Sequence, residues 1–198
     1  MKEIILNLYD IGAIKFGSFK LKSGIMSPIY IDLRESISYP SLMKSIAESM
    51  WQMIRHQKFD RLCGVPYTAL PMASYLSVAY NCPMVMRRKE AKDHGTKKII
   101  EGVYEQNHQC IIFDDLITSG MSVFETISPL EEAGMKVKDI VVFLDREQGG
   151  RKTLESKGYR LHAVVTISET LNILQKNGRI DQTTKDSINK FLKEHSNA

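Results

Sequence analysis

The stretch Cys110-Ile-Ile-Phe-Asp-Asp-Leu-Ile-Thr-Ser-Gly-Met-Ser122 constrains this chain more than any other. An apolar run ends in two adjacent carboxylates, Asp114 and Asp115. A loop with Thr118, Ser119, Gly120 and Ser122 follows, and then a helical pattern begins. The apolar half reads as a parallel strand covered on both faces, because such strands are continuously apolar. The loop then lies at the strand's carboxyl end, where open α/β sheets bind ligands. Backbone N–H groups at the start of the next helix hold phosphate well. Two carboxylates beside a phosphate site point to a sugar's hydroxyls, a magnesium ion, or both.

The rest of the chain repeats the same alternation. Helical spacing marks residues 3–13, and 16–32 reads as a hairpin punctuated by Gly17, Gly24 and Pro28. A helix runs from Ser41, its expected cap, to about residue 57, with Leu42, Ile46, Met50, Met53 and Ile54 on one face. Strands are expected at 61–65, 84–86, 109–113, 139–144 and 161–167, and helices at 69–80, 122–133, 151–157, 169–176 and 182–194. Residues 87–102 carry no period and read as a loop. Pro129 falls inside the 122–133 helix, where it removes a backbone bond and should kink the helix. Strands alternating with helices argue for one α/β domain: a central, mostly parallel sheet flanked by helices, with the early hairpin as a hood.

Other segments add chemistry. Seven basic side chains, counting His94, fall within residues 87–98. A solvated charged loop is the plain explanation, yet a long structureless loop in a small domain is often a lid. Clustered Arg and Lys neutralise polyphosphate, and Lys92 or His94 can stabilise or protonate a leaving group. Asp145-Arg-Glu-Gln-Gly-Gly150 ends another apolar strand, and Arg146 can fork onto a carboxylate. Gly64-Val-Pro-Tyr-Thr-Ala-Leu-Pro71 is either a rigid turn or a pyrophosphate-binding loop. Phe19-Lys-Leu-Lys-Ser-Gly24 is an edge strand with lysines, and nothing internal selects Lys22 over Lys20.

Net charge is only +4, too mild to imply nucleic acid, and a small anionic ligand fits better. The three cysteines lack CxxC spacing and read as buried reduced thiols. No signal-peptide pattern and no membrane-length apolar stretch is evident, so a cytoplasmic protein without a membrane or nucleic-acid partner is expected.

Taken together, these motifs resemble those of the type I phosphoribosyltransferases, which bind phosphoribosyl pyrophosphate (PRPP). Phe19–Gly24 with Ser27-Pro-Ile-Tyr-Ile-Asp32, Arg88-Lys-Glu-Ala-Lys-Asp-His-Gly95 and Asp145–Gly150 look like the orotate phosphoribosyltransferases. Gly64–Pro71 and Gly95-Thr-Lys-Lys98 look most like the transferase half of eukaryotic UMP synthases. The resemblance implies a type I phosphoribosyltransferase fold over 1–198, with a hood at about 14–35 and a mobile catalytic loop at about 88–102.

It also implies residue roles. Asp114 and Asp115 would bond the ribose hydroxyls, and the backbone of Leu116, Ile117, Thr118, Ser119, Gly120, Met121 and Ser122 would cradle the 5′-phosphate. Lys22, Tyr67, Thr68, Arg88, Lys89, Lys92 and His94 would meet the pyrophosphate. Lys92, His94 and Asp115 would be catalytic. Tyr30 and Ile31 would lie along the orotate ring, Lys22 beside it, and Thr118 and Arg146 at its polar edge and carboxylate. Mg²⁺ would sit on PRPP, with no direct protein ligand, and Asp114 or Asp115 would reach it through water.

The implied reaction transfers ribose-5-phosphate from PRPP to N1 of orotate, giving orotidine 5′-monophosphate and pyrophosphate in UMP synthesis. A homodimer with shared sites and a separate decarboxylase partner are implied too. Two departures stand out. Thr68 replaces a Lys common in bacterial members, and Met121 replaces a smaller residue. A purine phosphoribosyltransferase or a PRPP-sensing regulator would share the central loop. Arg146 argues against the first, and the lysine-rich loop against the second.

Overall fold

The computed structural model describes residues 1–20, 24–89 and 98–195. Helix α1 (Lys2–Asp10) leads into an antiparallel hairpin of β1 (Ile14–Lys20) and β2 (Met26–Ile31), the expected hood. A 3-10 helix (Leu33–Ser38), capped by the Asp32 carboxylate, joins the hood to α2 (Pro40–Ile54). Ser41 is not the cap of α2. Pro40 occupies the first helical turn, where its fixed φ suits the helix start, and this draws Ser41 inside.

The chain then alternates through β3 (Arg61–Gly64), α3 (Ala69–Ala79), β4 (Met84–Arg87), β5 (Ile100–Glu101) and β6 (Gln109–Ile117). It continues with α4 (Met121–Glu132), β7 (Lys136–Asp145), α5 (Gly150–Ser156), β8 (Arg160–Thr166), α6 (Ile167–Lys176) and α7 (Gln182–Glu194). The main sheet has the order β5-β4-β3-β6-β7-β8, parallel except for β5. Pro129 lies inside α4, which runs past it to Glu132.

Two corrections bear on the site. The expected loop 87–102 is strand near both ends, because Ile100 is buried and pairs with Arg87 on the sheet edge. Strand β6 does not stop at Phe113. Its ladder runs through both acids, pairing Asp114 with Val142, Leu116 with Leu144 and Ile117 with Asp145.

The central strands are apolar throughout because helices cover both faces. Ile111 and Phe113 of β6 join Val141 and Phe143 of β7 in one core, under α1, α2, α3, α6 and α7. Ile112 joins Ile140 and Val142 in a second core, under α4 and α5. Successive residues thus face opposite cores, as strand geometry requires. Each large buried side chain contributes about 1.5–3 kcal/mol. Cys63 and Cys110 are buried free thiols as expected, whereas Cys82 is only half-buried. No helix among the described residues is long and apolar enough to cross a membrane.

The strand order fixes where a ligand goes. From β3 the chain winds outward to β4, then returns to β6 on the other side and continues to β7. The crevice outside the carboxyl ends of β3 and β6 is therefore the switch point at which such sheets bind ligands.

Candidate active site

A cavity of about 340 Å³ opens at that switch point. Asp114, Asp115, Leu116, Thr118 and Ser122 form its floor, at the end of β6 and the start of α4. Val65, Pro66, Tyr67, Thr68 and Lys89 form one wall, beyond β3 and β4. Ile31, Asp32 and Arg34 of the hood form the other.

The acid pair is the chemical centre. Asp114 is 4% exposed. Its Oδ1 accepts from the Asp115 backbone N–H at 2.9 Å, and its Oδ2 accepts from the Ser122 hydroxyl at 3.0 Å. Burial pushes the Asp114 carboxyl well above its ordinary range, and the adjacent Asp115 charge adds to this. Burial also raises Asp115, while hydrogen bonding with Asp114 opposes the shift and the Asp32 charge adds to it. A pair held this way suits hydroxyl or hydrated-cation partners, which compensate its charge on binding.

The loop after the pair is built for an anion. Gly120 sits at φ +89, a conformation other residues rarely adopt, and precedes the first turn of α4. No side chain caps that helix, and the first N–H groups of a helix have no partner within it. Behind the loop, the Gly150 N–H donates to the Thr118 carbonyl at 2.8 Å. A methyl group on Gly150 would stand 2.5 Å from that oxygen, so only glycine allows the approach.

Arg146 lies one strand further along. Its backbone N–H donates to the Ile117 carbonyl at 3.0 Å, tying it to the acid strand. The residue is 8% exposed, and its Nε and Nη2 have no hydrogen-bond partner among the described residues. A buried, unpaired guanidinium is costly, and burial lowers its pKa. Arg146 does not line the cavity itself; it bonds to Ile117, the residue before the lining residue Thr118.

Of the residues singled out in the sequence, Ile31, Tyr67, Thr68, Lys89, Asp114, Asp115, Leu116, Thr118 and Ser122 meet in this cavity. Ile117 is buried beneath it, while Ser119 and Met121 are exposed on the loop. Met121 at 68% exposure presses on nothing that a smaller residue would relieve. Tyr30 does not line the cavity; it packs on Phe19 at 5.5 Å and donates its hydroxyl to Asp32 at 3.2 Å. Arg88 pairs with Glu101 at 3.2 Å and lines a neighbouring basic cavity with Tyr67, Arg87 and Lys89. Lys22, Lys92 and His94 lie outside the described residues. Asp32, the last residue of a quoted motif but given no role, and Arg34, outside the motifs, also line the cavity; an Asp before a short helical turn, with Arg two places on, was the available signal.

Comparison with known proteins decides the family. The model of the phosphoribosyl transferase domain matches residues 36–171. The orotate phosphoribosyltransferase of Chlamydia caviae is 39% identical over 181 residues, spanning 90% of this chain and 88% of that protein. The chain belongs to the orotate phosphoribosyltransferase family.

The chain is also similar to longer proteins. Uridine 5′-monophosphate synthase of Bos taurus is 46% identical over 98% of this chain, but the match covers 41% of that protein. The structure of Leishmania donovani UMP synthase superposes with a TM-score of 0.89 at 39% identity, over 98% of this chain and 42% of that one. The chain thus spans less than half the length of those relatives. It has the type I phosphoribosyltransferase fold, with the acid pair and the Thr118–Ser122 loop at its switch point.

Proposed function

We propose that this chain transfers ribose-5-phosphate from PRPP to N1 of orotate, releasing pyrophosphate and forming orotidine 5′-monophosphate. The observation that carries this reading is the buried, unpartnered Arg146 guanidinium, one strand from the acid pair. A purine base offers it nothing, whereas the orotate carboxylate compensates it.

In this reading the 5′-phosphate rests on the N–H groups of 118–122, and Asp114 and Asp115 accept from the ribose hydroxyls. Tyr67, Thr68, Arg88 and Lys89 face the pyrophosphate, with Lys22, Lys92 and His94 completing its surroundings. Thr68 contributes a hydroxyl or its backbone where bacterial relatives use a lysine. Ile31 and Tyr30 flank the base, and Thr118 and Arg146 take its carboxylate. As the C1–O bond lengthens, positive charge grows on the sugar and negative charge on the pyrophosphate. Cations held in place beforehand stabilise the second charge most. Excluding water from the cavity protects the sugar cation from hydrolysis.

Magnesium fits as a passenger on PRPP. Asp114 or Asp115 would reach the ion through water, because magnesium gives up its hydration shell reluctantly. When bound, it offsets charge on the pyrophosphate. A homodimer with shared sites, the 88–102 loop serving the partner, and a cytoplasmic location complete the proposal on family grounds. The product keeps its carboxylate, so the next enzyme is a decarboxylase, docked or fused.

Pyrophosphate release measured with PRPP, Mg²⁺ and either orotate, hypoxanthine or no base tests the reading. Release with orotate alone is expected. Turnover of hypoxanthine but not orotate would overturn it, as would PRPP binding without turnover of either base.

A further inference from the structure

The catalytic cavity is acidic for a site that takes a polyanion. Among the described residues lining it, Asp32, Asp114 and Asp115 are acids, and Lys89 and Arg34 are the cations. Three carboxylates repel an incoming pyrophosphate unless cations are fixed against them. Lys89 is an exposed side chain beyond β4.

Arg34 is held far more firmly. Asp32 Oδ1 accepts from Arg34 Nε at 2.6 Å and from the Arg34 backbone N–H at 3.1 Å. Asp32 Oδ2 accepts from Arg34 Nη2 at 2.5 Å and from the Tyr30 hydroxyl at 3.2 Å. Four donors saturate the carboxylate, which therefore has little to offer a ligand. The two parallel bonds fix the guanidinium plane. They use one edge of it, and the Nη1 edge remains for a ligand. The Arg34 side chain is 64% exposed while lining the cavity. An ion pair this exposed adds at most about 1 kcal/mol to stability. The brace therefore matters more for where the cation is held than for the fold.

We infer that Arg34, braced by Asp32, is a further anion-binding residue of this site and holds pyrophosphate from the hood side, across from Lys89. The inference rests on the transferase reading and names a residue that reading does not use. The 5′-phosphate already has the 118–122 loop, and the base carboxylate has Arg146. Arg34 shares its cavity with Tyr67, Thr68 and Lys89, the wall given to pyrophosphate. Asp32 is the positioning residue. Tyr30 and Ile31 directly precede it on the hood, so one hairpin links contacts to the base with contacts to the leaving group.

The test compares Arg34→Gln, Arg34→Lys and Asp32→Asn. Steady-state kinetics and titration calorimetry with inorganic pyrophosphate, in magnesium buffer, are the readouts. Arg34→Gln is expected to raise KM for PRPP and the Kd of pyrophosphate about tenfold each, consistent with losing one charge-assisted contact. KM for orotate should stay within twofold. Arg34→Lys should recover part of the loss, and Asp32→Asn should weaken pyrophosphate without touching it. Pyrophosphate affinity within twofold of wild type in Arg34→Gln would overturn the inference, as would an equal rise in KM for orotate. If the wild type failed to turn over orotate yet lost pyrophosphate affinity on Arg34→Gln, the inference would stand and the transferase reading would fall.

Discussion

Replacing Arg146 with methionine is expected to raise the KM for orotate at least a hundredfold and, in the same protein, to raise Tm. The two effects have one cause. Arg146 is 8% exposed, and its Nε and Nη2 are unpaired among the described residues, so the chain without ligand bears the cost of burying the guanidinium. Truncating one partner of a buried, hydrogen-bonded charge pair costs about 2–5 kcal/mol. That loss falls on orotate binding. A methionine of similar length fills the space without a charge, and such exchanges often stabilise by about 1–4 kcal/mol. Each kcal/mol moves Tm by about 2–4 °C in a chain this size. Calorimetric melting and orotate kinetics on one preparation check both halves. A lower Tm with unchanged orotate affinity would mean that Arg146 is a structural residue.

Asp114→Asn is expected to separate activity from stability in a similar way, with a pH signature. Burial and the Asp115 charge raise the Asp114 carboxyl in the folded state. Between its ordinary value of 3.8 and that raised value, the folded chain binds more protons than the unfolded chain. Wild-type stability therefore falls as pH rises through this window. An amide carries no such cost, so the variant should melt above wild type at pH 7.5. Its advantage should shrink as the pH is lowered toward 4. Catalysis should suffer at neutral pH, because an amide accepts less strongly from ribose hydroxyls than a carboxylate does. Charge-assisted bonds contribute about 1.5–3 kcal/mol, so kcat/KM for PRPP should fall about a hundredfold. Melting curves at the two pH values, with PRPP kinetics, measure this. An advantage that grows on acidification would contradict the account.

Much of this site is legible in the sequence, for a physical reason. A parallel strand under helices on both faces must be apolar throughout, so Ile111–Phe113 declare themselves, and the acids after them can only lie at the sheet's carboxyl edge. The same signal misplaced the end of β6. Asp114 and Asp115 interrupt the apolar run, yet the ladder continues because β7 runs beside it to Asp145. Strand ends depend on a neighbour's length, which local composition does not carry. Ile100 and Glu101 were hidden likewise, since a two-residue strand exists only through its pairing with β4. Asp32 ends the Ser27–Asp32 motif and Arg34 lies just beyond it, and only the fold places both against the cavity. Arg146 was the reverse: its Gly-rich turn drew attention, but only the structure shows that its guanidinium is buried with Nε and Nη2 unpartnered among the described residues.

The central claim is that this site takes an acidic pyrimidine against Arg146, which lies one strand from the acid pair. The most direct measurement is kcat/KM for orotate against uracil, with PRPP and Mg²⁺ in excess. Uracil has the same ring without the carboxylate. Sites built to bond a polar group reject analogues lacking it by about 10⁴–10⁵. The account predicts discrimination of at least about 10³ in favour of orotate, collapsing in Arg146→Met. Comparable turnover of the two bases by the wild-type protein would contradict it.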